Sequence, residues 1–97
     1  MAISTMPTIG VAGVTMPGVL DCIHKIHQEC LPHFPAHQHP NIILDQPNFG
    51  PKYEAQKRDD WNSVEDLMVA SINQLAASGA DFVIIPANTI NKVIRAF

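Results

Sequence analysis

DFVIIPANTINKVI, residues Asp81 to Ile94, decides how the chain is read. Five apolar residues in a row, Phe82 to Pro86, predict a buried strand. Asn88 and Thr89 follow where a helix should begin, and both are favoured N-cap residues. A helix N-terminus also presents free N–H groups, so the same pair suits a carboxylate ligand. Capping alone and ligand binding both remain open at this point. Between strand and polar pair stands Ala87, whose methyl group neither accepts nor donates a proton.

Upstream, the pattern repeats. TIGVAGV, Thr8 to Val14, is a continuous apolar run of the kind found in a parallel strand covered on both faces. Thr15 or Met16 opens a turn, and Pro17 occupies the favoured first helical position. Val19, Ile23, Ile26 and Cys30 then recur at steps of three and four as one helical stripe, which Pro32 and Pro35 end. NIIL, Asn41 to Leu44, predicts a short second strand. Asp45 to Asp60, with Pro47, Gly50 and Pro51, reads as a long polar loop of the functional kind. A second helix is expected from Asn62 or Ser63, where Asn62 with Glu65 and Ser63 with Asp66 offer capping-box chemistry. Val64, Leu67, Met68, Ile72 and Leu75 supply its stripe, and Gly79 its stop. The third helix starts near Asn88. The fold class is therefore α/β, a three-layer αβα arrangement with a parallel sheet, right-handed crossovers and the order β-α-β-α-β-α. The sequence carries nothing further to cover the two sheet edges, so residues 1–97 are expected to be the front part of a larger protein.

Composition narrows the class. An apolar share of 46% and a charged share of 15% fit one small globular domain. A net charge of -3 argues against nucleic acid or an acidic membrane surface as partner. No apolar run approaches the roughly 20 residues of a membrane span, and MAISTMPTIG has neither the basic nor the apolar region of a secretory signal. Cys22 and Cys30 lie about two helical turns apart, too far to bridge within one helix. Reduced thiols in a cytoplasmic protein are expected.

IGVAGVTMPG with its following helix, HPNIIL, QKRDDW and above all GADFVIIPANTINKV resemble the aspartate/glutamate racemase family. The resemblance runs from about Ile9 to the end. Gly79 to Val93 follows the family's G-A-D-F-[IV]-[IV]-I-P-C-N-T-x-H-K-V run almost position by position. The first turn is further off: members read G-G-M-G-P or G-G-M-S-W, and this chain has Gly13-Val14-Thr15-Met16-Pro17.

The resemblance implies a two-lobe enzyme with pseudo-twofold symmetry, of which this chain holds the first part of one lobe and lacks the second. It implies amino-acid racemisation without pyridoxal phosphate or any other cofactor, on aspartate, glutamate or a related acidic amino acid, in a homodimer of the full-length protein. Inverting an α-carbon this way needs a base on each face, and two cysteine thiolates, one per lobe, serve. The first-lobe cysteine position is Ala87, and the family histidine after it is Asn91. An engineered replacement, a divergent member and a scaffold that kept binding alone all fit Ala87. None lets this chain run two-base racemisation by itself. Asn88 and Thr89 match the residues that grip the substrate α-carboxylate, and Thr15 or Met16 would line the first loop. Lys52 stands near where members place an arginine, in P-D-R, for the side-chain carboxylate; a solvated loop lysine is the competing reading. Beside the racemase stand two other readings: a binding or regulatory protein holding a small carboxylate at Asn88 and Thr89, and a partner-dependent fragment.

Five histidines raise a metal alternative. Cys30, His33, His37 and His39 crowd one stretch, but their spacing matches no standard zinc pattern. His24 and His27 share a helix face without Cys22. An exposed linker with no metal is expected. Cys22 and Cys30 read as small apolar residues of the first helix. Trp61 reads as a packing anchor, and Lys57 and Arg58 beside Asp59 and Asp60 make no basic patch.

Overall fold

The computed structural model describes residues 6–86. Thr8–Ala12 forms β1, Asn41–Asp45 β2 and Phe82–Ile84 β3. They make one parallel sheet in the order β2-β1-β3, with β1 central. Helix α1, Met16–Cys30, lies between β1 and β2, and α2, Gly50–Lys57, and α3, Trp61–Ala77, lie between β2 and β3. This is the expected α/β fold. The helix expected from Asn88 lies outside the described residues.

The register sorts the strand residues by face. Ile9, Val11, Ile42, Leu44, Phe82 and Ile84 share the α1 face, and Gly10, Ala12, Ile43, Asp45 and Val83 the α3 face. On the α3 face the core gathers Ala12, Val14, Ala55, Val64, Met68 and Leu75, with Ile43, Phe49, Trp61, Val83 and Ile85 packed on it. Trp61 thus does anchor the entry of α3. Gly10 lets α3 come close, since a Cβ there would sit 2.9 Å from the Ala80 Cβ and 3.3 Å from the Leu75 Cβ.

Three features differ from expectation. The residues read as a loop from Asp45 to Asp60 contain α2. The Asn48 Oδ1 accepts from the Gly50 N–H at 3.0 Å, and Pro51 stands in the first turn, so a Gly-Pro pair that reads as a breaker starts a helix. Lys52 and Ala55, three apart, both face inward. The solvated loop lysine is therefore overturned: Lys52 is a helical residue, 1% exposed. The cap of α3 is Asp60, ahead of Asn62 and Ser63; its carboxylate takes both the N–H and the hydroxyl of Ser63, at 3.2 and 2.6 Å. In the α3 stripe Val64, Met68 and Leu75 are buried as expected, Ile72 is half-buried, Leu67 is 37% exposed, and Ser71 is buried instead.

Gly79 ends α3 as expected. Its φ of 101° is left-handed, and the N–H groups of Gly79 and Ala80 bond the Ala76 and Leu75 carbonyls. Asp81 then ties β3 to the start of β1: its N–H bonds the Thr8 carbonyl at 2.8 Å and its carboxylate accepts from the Thr8 N–H at 2.7 Å.

Candidate functional site

Because the strands are parallel, their carboxyl ends share one edge of the sheet, and β1 at the centre marks the point where the strand order reverses. Three turns meet there: Gly13 to Thr15 after β1, Gln46 to Phe49 after β2, and Ile85-Pro86 after β3.

Thr15 is the N-cap of α1. Its Oγ1 accepts from the Gly18 N–H at 3.3 Å, and its carbonyl from the Val19 N–H at 3.0 Å. Met16 beside it is 51% exposed, so the first turn of α1 is open to a ligand. Gly18 has a spatial reason to be glycine: a Cβ there would lie 3.1 Å from the Pro86 carbonyl oxygen. The N-terminal turn of α1 and the end of β3 therefore stand in contact. Pro86 is the last described residue, and Ala87, Asn88 and Thr89 lie outside the described residues.

Gln46 closes the gap between the ends of β1 and β2. Its Nε2 donates to the Val14 carbonyl at 3.2 Å, while Oε1 is buried with no hydrogen-bond partner among the described residues. A Cβ on Gly13 would collide with that amide and lie 2.6 Å from Cγ2 of the fully buried Val19, which has little room to give way, so this turn favours a glycine. Nothing in a single sequence marks Gln46; only the crossing of two strand ends gives it a role.

Lys52 does not join Gly18 and Pro86. It lines a hollow of about 440 Å3 with Asp45, Asn48, Leu67, Ser71 and other residues of α2 and α3. Asp45, the last residue of β2, accepts from the Ser71 hydroxyl at 2.5 Å. The Lys52 Nζ has no hydrogen-bond partner among the described residues. Burial pushes its pKa below the ordinary lysine value, and nearby Asp45 opposes the shift. Sequence reasoning picked out Lys52 but missed Asp45 and Ser71, because only the packing of α3 on the end of β2 brings them together.

A larger hollow, about 650 Å3, lies between α1 and β3 and is lined by Ile9, Gly18, Cys22, Ile26, Ile84 and Pro86 among others. Cys22 in its wall has a thiol pKa raised chiefly by burial, the opposite of an activated thiolate. Among the described residues no group of three His, Cys, Asp or Glu side chains is placed to hold a metal, and His33, His37 and His39 are exposed.

The family model for Asp/Glu/Hydantoin racemase matches residues 11–97, from within β1 to the last residue of the chain. The chain belongs to this family. Its parallel sheet with flanking helices is the α/β fold consistent with the racemase domain, and the family carries isomerase activity of the racemase type. No curated protein matches the sequence. Among the described residues no helix of this racemase-family domain is long and apolar enough to cross a membrane.

Proposed function

We propose that this racemase-family domain holds an acidic amino acid, aspartate or glutamate, at the edge where α1 meets the end of β3. The observation that carries this is the close approach of Gly18, in the Thr15-capped turn of α1, to the Pro86 carbonyl, one residue before Ala87. Asn88 and Thr89 grip the α-carboxylate, and Thr15 and Met16 line the first loop. Lys52 opens into another hollow and is left out of this cradle.

The chemistry is proton exchange at the α-carbon without a cofactor. In a two-base reaction one thiolate takes the α-proton as its C–H bond breaks, and a thiol on the other face returns a proton to the carbanion. Position 87 is where the first lobe supplies its base, and the second base belongs to a second lobe. With Ala87 the first base is missing, so the chain binds without turning over. The full-length protein is proposed to be a cytoplasmic homodimer.

The test is solvent deuterium incorporation at the α-carbon of aspartate and glutamate, for this chain and for Ala87→Cys. Incorporation by the cysteine variant alone is the expected result for a racemase site that has lost one base. Silence in both, with binding of either amino acid intact, favours the second reading that Ala87 itself supports, a carboxylate-binding protein on the racemase scaffold. Silence together with no binding overturns both.

A further inference from the structure

The hollow between α2 and α3 has features the racemase reading does not use. Its volume of about 440 Å3 falls within the roughly 300–1,000 Å3 of small-molecule pockets. A lysine that is 1% exposed contributes to its wall, and the Nζ finds no acceptor among the described residues. A buried ammonium without an acceptor is destabilising, by an amount larger than for a neutral group. The amine is closed to water-sized groups as it stands, so a ligand meets it only when the Lys52 end turns into the hollow; an acceptor there removes the penalty, and the site favours an anionic group beside Lys52. The N-terminal turn of α2, to which Lys52 belongs, adds a field of the same sign.

Asp45 narrows the ligand further. Its charge is close enough to act on Lys52, yet no salt bridge joins the two. One carboxylate oxygen, Oδ2, is held by Ser71. A simple anion placed at Lys52 would be repelled by Asp45, and a simple cation at Asp45 would be repelled by Lys52. A small molecule with both charges a few ångströms apart meets both demands. Leu67, Ala70, Pro47 and Pro51 give the remaining wall an apolar surface suited to a short aliphatic group.

We propose that this hollow is a second small-molecule site, taking a zwitterionic amino acid with its carboxylate toward Lys52 and its ammonium toward Asp45. The site shares no described residue with the Thr15–Pro86 cradle and does not depend on it. A neutral lysine would bind a carboxylate less well, and burial does lower the Lys52 pKa; the incoming carboxylate restores the charged form.

The experiment is a titration of 15N-labelled chain with alanine, acetate and ethylamine, following backbone amide shifts. Alanine is expected to give saturable shifts at Asn48, Lys52 and Ser71, at concentrations at least tenfold lower than either single-charge probe. Lys52→Met and Asp45→Asn should each weaken the alanine response at least tenfold, while Asn88→Ala, which removes part of the proposed cradle, leaves it unchanged. The circular dichroism of each variant checks that the fold persists. The proposal is overturned by the absence of saturable shifts at these amides, by equal response to acetate, or by loss of the response in Asn88→Ala. Since the Asn88 variant separates the two sites, failure here leaves the racemase reading standing.

Discussion

At the residue scale, Lys52 is the side chain with the most at stake. Its long stem fills space beneath α2, and its amine is held away from water without an acceptor. Methionine has similar length and no charge, so Lys52→Met should stabilise the chain by about 1–3 kcal/mol at neutral pH, measured by urea unfolding. The pH dependence follows from the direction of the pKa shift. The unfolded lysine titrates at its ordinary value and the folded one lower. Between those two values the unfolded chain holds a proton the folded chain has released, so stability rises with pH. Below the folded value both forms are charged and the full penalty applies; above the unfolded value neither is charged and the penalty is gone. The advantage of Lys52→Met should therefore shrink as pH rises toward the ordinary lysine pKa. An advantage that stays constant, or a destabilised variant, would show that the amine is not held against its charge.

At the scale of elements, α3 is specified at both ends by side chains. Asp60 receives the Ser63 N–H and hydroxyl, and these bonds hold its carboxyl below the ordinary carboxylate range. Asp60→Ala should lower the urea midpoint at neutral pH. Because the folded pKa is depressed, the contribution is present above the unfolded value and is lost as pH falls through the folded one. The gap between native and variant should close in acid, and equal midpoints at neutral pH would remove the cap from the account. The Arg58–Asp60 pair at 3.5 Å is exposed and adds little. The same elements show what the sequence carried and what it hid. The strands were legible because continuous apolar runs have few other readings, and the end of α3 because Gly79 adopts a backbone angle that favours glycine. Helix α2 was hidden: its inward positions are a lysine and an alanine, so no apolar stripe marks it, and its Gly-Pro start mimics a break. Asp60 was passed over because two plausible caps follow it within three residues. Thr15, Met16 and Lys52 were legible as candidates. That Lys52 belongs with Asp45 and Ser71 depends on contacts made across 26 residues of chain between Asp45 and Ser71.

At the scale of the whole molecule, the two faces of the sheet are unequally covered. Helix α3 packs across all three strands and against α2, and buries Val64, Met68, Ser71 and Leu75. Helix α1 buries only Val19 among the described residues. On its side of the sheet Leu44 is 42% and Phe82 50% exposed, although both point to the face that a parallel sheet normally buries. Each Å2 of apolar surface removed from water contributes roughly 25 cal/mol, so α3 is tied to the sheet by far more than α1. Local opening follows this asymmetry, since a segment with few buried apolar contacts opens at lower free energy than the global transition. Native-state hydrogen exchange should find the amides of Val64 to Leu75 released only by global unfolding, and those of Ile23 to Glu29 released by smaller openings. The consequence reaches the candidate site, because Thr15 and Gly18 ride on α1 and meet Pro86 at the less protected face. A ligand seated against both would hold α1 onto the sheet, so aspartate or glutamate should slow exchange in α1 more than in α3. Equal protection of the two helices without ligand would mean that α1 is held by contacts other than those described, and the coupling between ligand and helix would lose its basis.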